Sequence, residues 1–167
     1  MPIGKKKIVI LIADDDDEDR MFVREAFAGK PVEVKSVVDG MELLDYLLCR
    51  GKYKHDGDRH PRPDLILLDL NMPKMGGKEA LAEIQSDSCL RTVPVIILTT
   101  SQEECEVHRC YELGAKTYIV KPLSFDRLVE IMESLHLYWS DVARLPIHAI
   151  PTSCAEHYLS MTAGVSR

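Results

Sequence analysis

The sequence has little of what marks several large classes of protein. Its five cysteines are an odd number without the spacing of a disulfide framework, so we expect free thiols. It contains no Cys-x-x-Cys or His-x-x-x-His pair, which argues against a zinc site. No apolar stretch reaches membrane-spanning length, and none that is typical of a signal peptide precedes Lys7. The expected location is therefore the cytoplasm, with no membrane partner.

Positive charge is also scarce. The 167 residues carry 21 Lys and Arg against 27 Asp and Glu, a formal net charge of -6. This balance argues against nucleic-acid binding, because neutralising phosphates needs a basic face. With 46% hydrophobic and 29% charged residues, the composition is typical of a globular protein. The length favours one domain with extensions over two domains.

Strand and helix patterns alternate along the chain. Five short segments rich in β-branched and other apolar residues indicate strands, and apolar residues at helical spacing follow each of them. Helices joining parallel strands predict an α/β fold, one sheet in the order 2-1-3-4-5 with helices on both faces. The strands are expected at 7–13, 32–38, 64–68, 95–99 and 117–120, and the helices at about 18–28, 41–48, 80–84, 103–113 and 124–143. A polar surface loop is expected between Gly51 and Pro63.

Polar residues stand where four of these strands end: Asp14 and Asp15, then Asp69, Thr99 and Lys121. The carboxyl ends of neighbouring parallel strands meet at one edge, where open α/β sheets carry their chemistry. Three carboxylates there need a neutralising cation, and Mg2+ suits oxygen ligands: Asp15 and Asp69 directly and Asp14 through water. Asp69 would be the nucleophile, while Lys121 and Thr99 would stabilise a phosphoryl group.

Two other interpretations of the acidic residues are less favourable. An acidic sheet rim that binds nothing would explain any single aspartate, but it does not explain five suitable residues at the strand ends. A calcium loop is disfavoured because the run from Asp14 to Asp19 lacks the glycine turn and distal glutamate of an EF-hand. Asp16, Asp17 and Asp19 are expected to be solvated charges or, at most, helix caps.

Together these motifs resemble the receiver domains of two-component response regulators. The resemblance covers Lys7 to Leu137 and rests on Asp14-Asp15, DLILLDLNMPKMGG, PVIILTT and YIVKP. It implies a flavodoxin-like (CheY-like) fold in which Asp69 accepts phosphate from a phosphohistidine on a sensor histidine kinase. It also implies that the main-chain carbonyl of Asn71 completes the Mg2+ ligands.

The same resemblance assigns further roles around the phosphoryl group. The main chain of Thr100 would support it, and Tyr118 would be the switch residue that turns inward as Thr99 moves towards the phosphate. Asn71 and Ser101 would tune the attack of water on the aspartyl phosphate. The bond between Lys121 and Pro122 is expected to be cis.

Within that family, three features are similar to the single-domain regulators of bacterial phytochromes: the loop from Gly51 to Pro63, the Thr-Thr-Ser after strand four and the ending YWSDVARLP. They imply a phytochrome-type kinase as phosphate donor. The receiver domain is expected over 1–145, and the extension 146–167 is too short for an output domain. Output would pass to an unidentified partner protein or through a homodimer formed by Tyr138, Trp139 and the tail.

There are two alternative functions. A magnesium-dependent phosphohydrolase would also use an aspartate nucleophile, but it needs an acid two residues later, where Asn71 stands. A receiver-like module that is never phosphorylated would act by binding alone. We therefore expect a phosphoacceptor signalling protein that is not an enzyme, apart from slow self-dephosphorylation.

Overall fold

The computed structural model describes residues 7–54 and 59–146 of the chain. Helices and strands alternate from end to end, as expected. The elements are β1 (Ile8–Ala13), α1 (Asp17–Ala26), β2 (Val32–Val37), α2 (Gly40–Leu47), β3 (Leu65–Leu68), α3 (Gly77–Ser86), β4 (Val95–Thr99), α4 (Glu104–Glu112), β5 (Thr117–Val120) and α5 (Phe125–Leu137). A short 3-10 helix covers Gly51–Tyr53, and a π-helix covers Tyr138–Val142.

The five strands form one parallel sheet in the order β2-β1-β3-β4-β5, which confirms the predicted topology. Ala13 pairs with Leu68, and Leu68 pairs with Ile97. The strands β1, β3 and β4 therefore end at nearly the same level, and the residues that follow them share one edge of the sheet.

Each face of the sheet carries its own apolar core, which explains why the strands have no polar alternation. In β3, Ile66 and Leu68 pack towards α2, α3 and α4, whereas Leu65 and Leu67 pack towards α1 and α5. All four are almost fully buried. The sheet is thus a rigid central layer that holds its carboxyl edge in place.

The end of α5 differs from the expectation of one helix to residue 143. The α-helix ends at Leu137, and the wider turn that follows is closed by the Ala143 N–H, which donates to the Tyr138 carbonyl oxygen at 2.7 Å. Trp139 packs against the core on the α1 and α5 side, as does Leu145, while Tyr138 is 51% exposed. Tyr138 is therefore the exposed aromatic residue at this end of α5, whereas Trp139 packs on the core.

The loop before β3 does more than connect α2 to the sheet. Tyr53 is buried, and its ring centroid lies 4.9 Å from that of Tyr46 and 4.7 Å from that of His60. Its hydroxyl donates to Glu42 at 2.9 Å. Burial raises the pKa of Tyr53, and the Glu42 carboxylate raises it further. The described part of this loop is therefore packed on α2, contrary to a purely polar surface loop.

Two further observations concern the cysteines and the helices. Cys49, Cys105 and Cys110 are free thiols, as expected. Cys89 is disulfide-bonded, so the expectation of free thiols is wrong there. Within the described ranges, no helix combines the length and the apolar character needed to span a bilayer. The extension 146–167 lies outside the described residues apart from Pro146.

Candidate metal and phosphoryl site

Three carboxylates meet at the carboxyl edge of the sheet. One oxygen each from Asp14, Asp15 and Asp69 lies within 4.8 Å of the other two. Asp14 is 1% exposed and Asp69 is 7% exposed, whereas Asp15 faces solvent. They come together because β1 and β3 are paired in register, with the Asp69 N–H donating to the Ala13 carbonyl oxygen at 2.9 Å. The predicted acidic cluster is present.

Local hydrogen bonds orient the first acidic residues. The Asp16 N–H donates to Asp14 Oδ1 at 3.0 Å. The Asp16 carboxylate in turn is the N-cap of α1, accepting from the N–H groups of Glu18 and Asp19 at 2.8 and 3.3 Å. Asp16 is thus a helix cap, one of the two roles expected of it, and the cap holds the first turn of α1 above the end of β1.

Close backbone packing fixes Asp69. Its Oδ1 accepts from the Leu70 N–H at 2.7 Å. The Gly77 N–H donates to the Leu70 carbonyl oxygen at 2.9 Å, and a Cβ on Gly77 would lie 2.1 Å from the Asp69 carbonyl oxygen. Only glycine fits at position 77, which is why the helix α3 can begin so close to the carboxylate.

The loop that follows Asp69 is also tied to α2. Lys74 Nζ lies 2.9 Å from Oδ2 of Asp39, which is buried and caps α2 through the Glu42 N–H. Burial alone would raise the pKa of Asp39, but the bonds from the Glu42 N–H and Lys74 lower it overall. The Gly40 N–H donates to the Met75 carbonyl oxygen at 3.1 Å. These contacts, which the sequence did not predict, hold the loop that carries Asn71.

Lys121 reaches into the cluster from the end of β5. Its Nζ lies 2.7 Å from Asp14 Oδ2, 3.2 Å from Asp69 Oδ2 and 2.6 Å from Asp19 Oδ2. Burial alone would lower the pKa of Lys121, but the bonds to Asp14 and Asp19 raise it overall. Burial raises the pKa of Asp14 despite the bond from Lys121, and the nearby Asp69 charge adds to this. The site is therefore charged, desolvated and short of positive charge.

The prediction that Asp19 is a solvated charge or a helix cap is wrong. Its carboxylate is an ion-pair partner of Lys121. The one sequence signal that pointed here is its place in the first turn of a helix that begins just after β1. Whether such a residue faces the strand ends depends on how the helix is seated, which the sequence does not state.

Thr99 ends β4 beside this cluster. It is fully buried, and among the described residues its Oγ1 has no hydrogen-bond partner. The Lys121 N–H donates to the Thr99 carbonyl oxygen at 2.7 Å, which joins the ends of β4 and β5. A buried hydroxyl without a partner is costly and uncommon, so it suggests a ligand that would accept from it.

Tyr118 links β5 to the loop after β4. Its hydroxyl donates to the Ser101 carbonyl oxygen at 3.1 Å, and its N–H donates to the Tyr111 hydroxyl at 3.1 Å. The ring packs against the core on the α2 to α4 side, and burial raises the pKa of Tyr118.

Thr100 and Asn71 are exposed on the loops that leave β4 and β3. No peptide bond among the described residues is cis, so the expectation for Lys121 and Pro122 is wrong; Lys121 reaches the carboxylates from a trans bond.

At the carboxyl edge of a parallel sheet, the site combines an acidic cluster, a lysine and a buried hydroxyl that has no partner among the described residues. This combination is typical of a class of sites that bind a phosphoryl group together with a divalent cation. Three comparisons with known proteins agree with it. A family model, the response regulator receiver domain, matches residues 10–133. The response regulator Rcp1 of Synechocystis sp. is 34% identical over 130 residues, which are 77% of this chain and 86% of Rcp1.

Solved structures show the same relationship. The phosphorylated cyanobacterial phytochrome response regulator RcpA is 39% identical with a TM-score of 0.78, covering 84% of this chain and 99% of RcpA. The Mn(2+)-bound form of Rcp1 is 34% identical with a TM-score of 0.75 over the same shares. The chain belongs to the response regulator receiver family.

This membership sets the general function. Receiver domains act in two-component signalling, where histidine kinases phosphorylate them, and they bind a divalent metal. The chain is homologous to single-domain response regulators, since the match covers 86% of Rcp1 and 99% of the solved RcpA chain. The predicted family, fold and class of function are confirmed.

Proposed function

We propose that this protein is a response regulator that accepts a phosphoryl group on Asp69 from a phosphohistidine of a sensor kinase. One observation carries the assignment to Asp69: its carboxylate lies 3.2 Å from the Lys121 ammonium and within the acidic cluster. Thr99, whose buried hydroxyl has no partner among the described residues, ends the neighbouring strand β4. The site therefore offers the Asp69 carboxylate as nucleophile, the Lys121 ammonium as positive charge and the Thr99 hydroxyl as hydrogen-bond donor.

In the transfer, a carboxylate oxygen of Asp69 forms a bond to phosphorus as the bond from phosphorus to the histidine nitrogen breaks. The electron pair of that bond returns to the imidazole. The Leu70 N–H holds Asp69 Oδ1, so the carboxylate does not have to reorient. Lys121, Thr99 and the main chain of Thr100 would stabilise the charge on the phosphoryl oxygens.

The residues present suit a divalent cation. Asp15 and Asp69 would bind Mg2+ directly, with Asp14 through water and the main-chain carbonyl of Asn71 as a further ligand. Two of the three carboxylates are desolvated and share one lysine, so a second positive charge would stabilise them. When bound, the ion supplies charge neutralisation between the carboxylates and the phosphoryl group. The Mn(2+)-bound relative supports such an ion here.

The read-out would begin at Thr99. When its hydroxyl moves to the phosphoryl oxygen, Tyr118 would leave the Ser101 carbonyl oxygen and turn inward. Asn71 and Ser101 would set the rate at which water removes the phosphate, giving slow self-dephosphorylation. The receiver would span 1–145, and the extension 146–167 would not form a separate output domain.

The donor would be a phytochrome-type histidine kinase in the cytoplasm, as the likeness to RcpA suggests. Output would pass to a protein partner or a homodimer, with no nucleic acid or membrane involved. The exposed side chains of Leu137, Tyr138 and Val142 support pairing at the end of α5. The phosphohydrolase alternative is disfavoured, because the exposed Asn71 amide cannot act as the general acid.

The test uses a small phosphodonor with Mg2+. Intact mass spectrometry of the wild type treated with acetyl phosphate should show a single phosphoryl adduct, and Asp69→Asn should show none. Asp126→Asn, which removes an acid from the exposed first turn of α5, is the matched control and should be labelled like the wild type. An equal adduct on Asp69→Asn, or none on the wild type, would overturn the proposal.

A further inference from the structure

The Lys121 ammonium is saturated before any phosphoryl group arrives. An ammonium has three N–H donors. Three carboxylate oxygens surround this one, at 2.7 Å from Asp14, 2.6 Å from Asp19 and 3.2 Å from Asp69. A phosphoryl oxygen that pairs with Lys121 must therefore replace one of these three partners.

Asp19 differs from the other two partners in its place at the site. Asp14 and Asp69 belong to the carboxylate cluster that suits a cation, and Asp19 does not. A cation bound by the cluster would draw on Asp14 and Asp69, and phosphorylation modifies Asp69 itself. Asp19 keeps its full negative charge when the cation binds and when Asp69 is phosphorylated. In both states it therefore competes with the phosphoryl group for the Lys121 ammonium.

The Asp19 carboxylate is also held in position. It stands in the first turn of α1, where its N–H donates to the Asp16 carboxylate at 3.3 Å. The neighbouring Arg20 side chain donates to the Asp14 carbonyl oxygen at 2.5 Å, which ties this turn to the end of β1. The ring centroids of Phe22 and Phe125 lie 5.8 Å apart, so α1 also contacts the start of α5. The acceptor is thus pre-organised rather than a mobile surface acid.

We propose that Asp19 is a positioning residue for Lys121, resting on the phosphoacceptor function above. Asp19 holds the ammonium in the unphosphorylated protein, and Lys121 exchanges Asp19 for a phosphoryl oxygen when Asp69 is modified. The exchange makes and breaks hydrogen bonds only. It sets how readily the phosphorylated state forms, and it frees the first turn of α1 from β5 in that state.

The consequence is that a weaker acceptor at position 19 should favour the phosphorylated state. An amide oxygen accepts from an ammonium less strongly than a carboxylate does, and the difference corresponds to about five-fold in an equilibrium constant. Asp19→Asn should therefore bind a phosphoryl mimic about five-fold more tightly. Asp19→Glu restores the charge on a side chain one methylene longer and should return the affinity towards that of the wild type.

The experiment titrates beryllofluoride by calorimetry, with each variant first saturated with Mg2+ in a separate titration. Glu18→Gln is the matched control, since it removes one charge from the same helical turn with an exposed side chain. The expected order is tighter binding for Asp19→Asn and for a second neutral variant, Asp19→Ser, with wild-type binding for Glu18→Gln. Unchanged or weaker binding in both neutral variants, or an equal gain in Glu18→Gln or Asp19→Glu, would overturn the role of Asp19.

A spectroscopic readout separates positioning from a structural effect. With 15N-labelled lysine, the Lys121 ammonium resonance of the unphosphorylated protein should shift in Asp19→Asn and not in Glu18→Gln. No shift in Asp19→Asn would contradict the contact itself. If the wild type fails to bind beryllofluoride at all, the phosphoacceptor proposal fails; if the wild type binds and the Asp19 variants match it, only this inference fails.

Discussion

Replacing Thr99 by valine should stabilise the unphosphorylated protein and weaken its binding of a phosphoryl mimic. Thr99 is fully buried, and its Oγ1 has no partner among the described residues. A buried hydroxyl without a hydrogen bond costs about 1–3 kcal/mol. Valine fills the same space with a methyl group and removes that cost.

The expected gain is about 1 kcal/mol, which corresponds to roughly 3–4 °C in Tm for a domain of this size. With the phosphoryl mimic bound, Thr99→Val lacks the hydrogen bond that the Thr99 hydroxyl would donate to a charged phosphoryl oxygen. Such a bond is worth about 1.5–3 kcal/mol. Affinity for beryllofluoride should therefore fall by roughly 10- to 100-fold.

Differential scanning calorimetry of the metal-free protein measures the first effect, and isothermal titration with beryllofluoride and Mg2+ measures the second. Thr100→Val is the matched control, because the neighbouring side chain is exposed and only its main chain is assigned a role. Its Tm and affinity should stay near those of the wild type. A Thr99→Val protein that is less stable, or that binds beryllofluoride like the wild type, would refute the idea of a hydroxyl kept for the phosphoryl group.

Two other predictions concern the metal and the backbone. Burial raises the pKa of Asp14 above its ordinary value of 3.8, so the fold gains stability from the neutral carboxyl at low pH and loses it as the pH rises through the folded pKa. Metal-free Asp14→Asn should then be more stable than the wild type at neutral pH. When denaturation is measured with Mg2+ present, the wild type should be the more stable protein. The same order of stability with and without Mg2+ would contradict this. Gly77→Ala should lower the free energy of unfolding, measured by urea denaturation, by about 3 kcal/mol or more, because its Cβ would meet the Asp69 carbonyl oxygen. Gly76→Ala, whose Cβ would lie 3.3 Å from the Leu70 carbonyl oxygen, should lower it far less. Equal losses would show that the contact at Gly77 is not tight.

Much of the fold follows from local pattern. The run Leu65–Leu68 has no polar alternation because both of its faces carry a core, and that pattern alone indicates a central parallel strand. Once the strands are parallel, Asp14, Asp69 and Lys121 must share one edge. The cluster was therefore predictable from strand ends alone.

Other features depend on how elements are seated, which local pattern does not encode. Asp19 meets Lys121 because α1 begins directly above the end of β1. The tie between Lys74 and Asp39 joins loops 35 positions apart. The π-helix from Tyr138 needs a change in hydrogen-bond register that the apolar stripe of α5 does not signal.

The central claim is that Asp69 carries the phosphate, and locating the modified residue tests it most directly. Borohydride reduces an aspartyl phosphate to homoserine, and peptide mass spectrometry then identifies the position. After reaction with acetyl phosphate and Mg2+, homoserine should be found at position 69 and at no other aspartate. Homoserine at Asp14, Asp15 or Asp19, or none at position 69 in a protein that carries the adduct, would contradict the account.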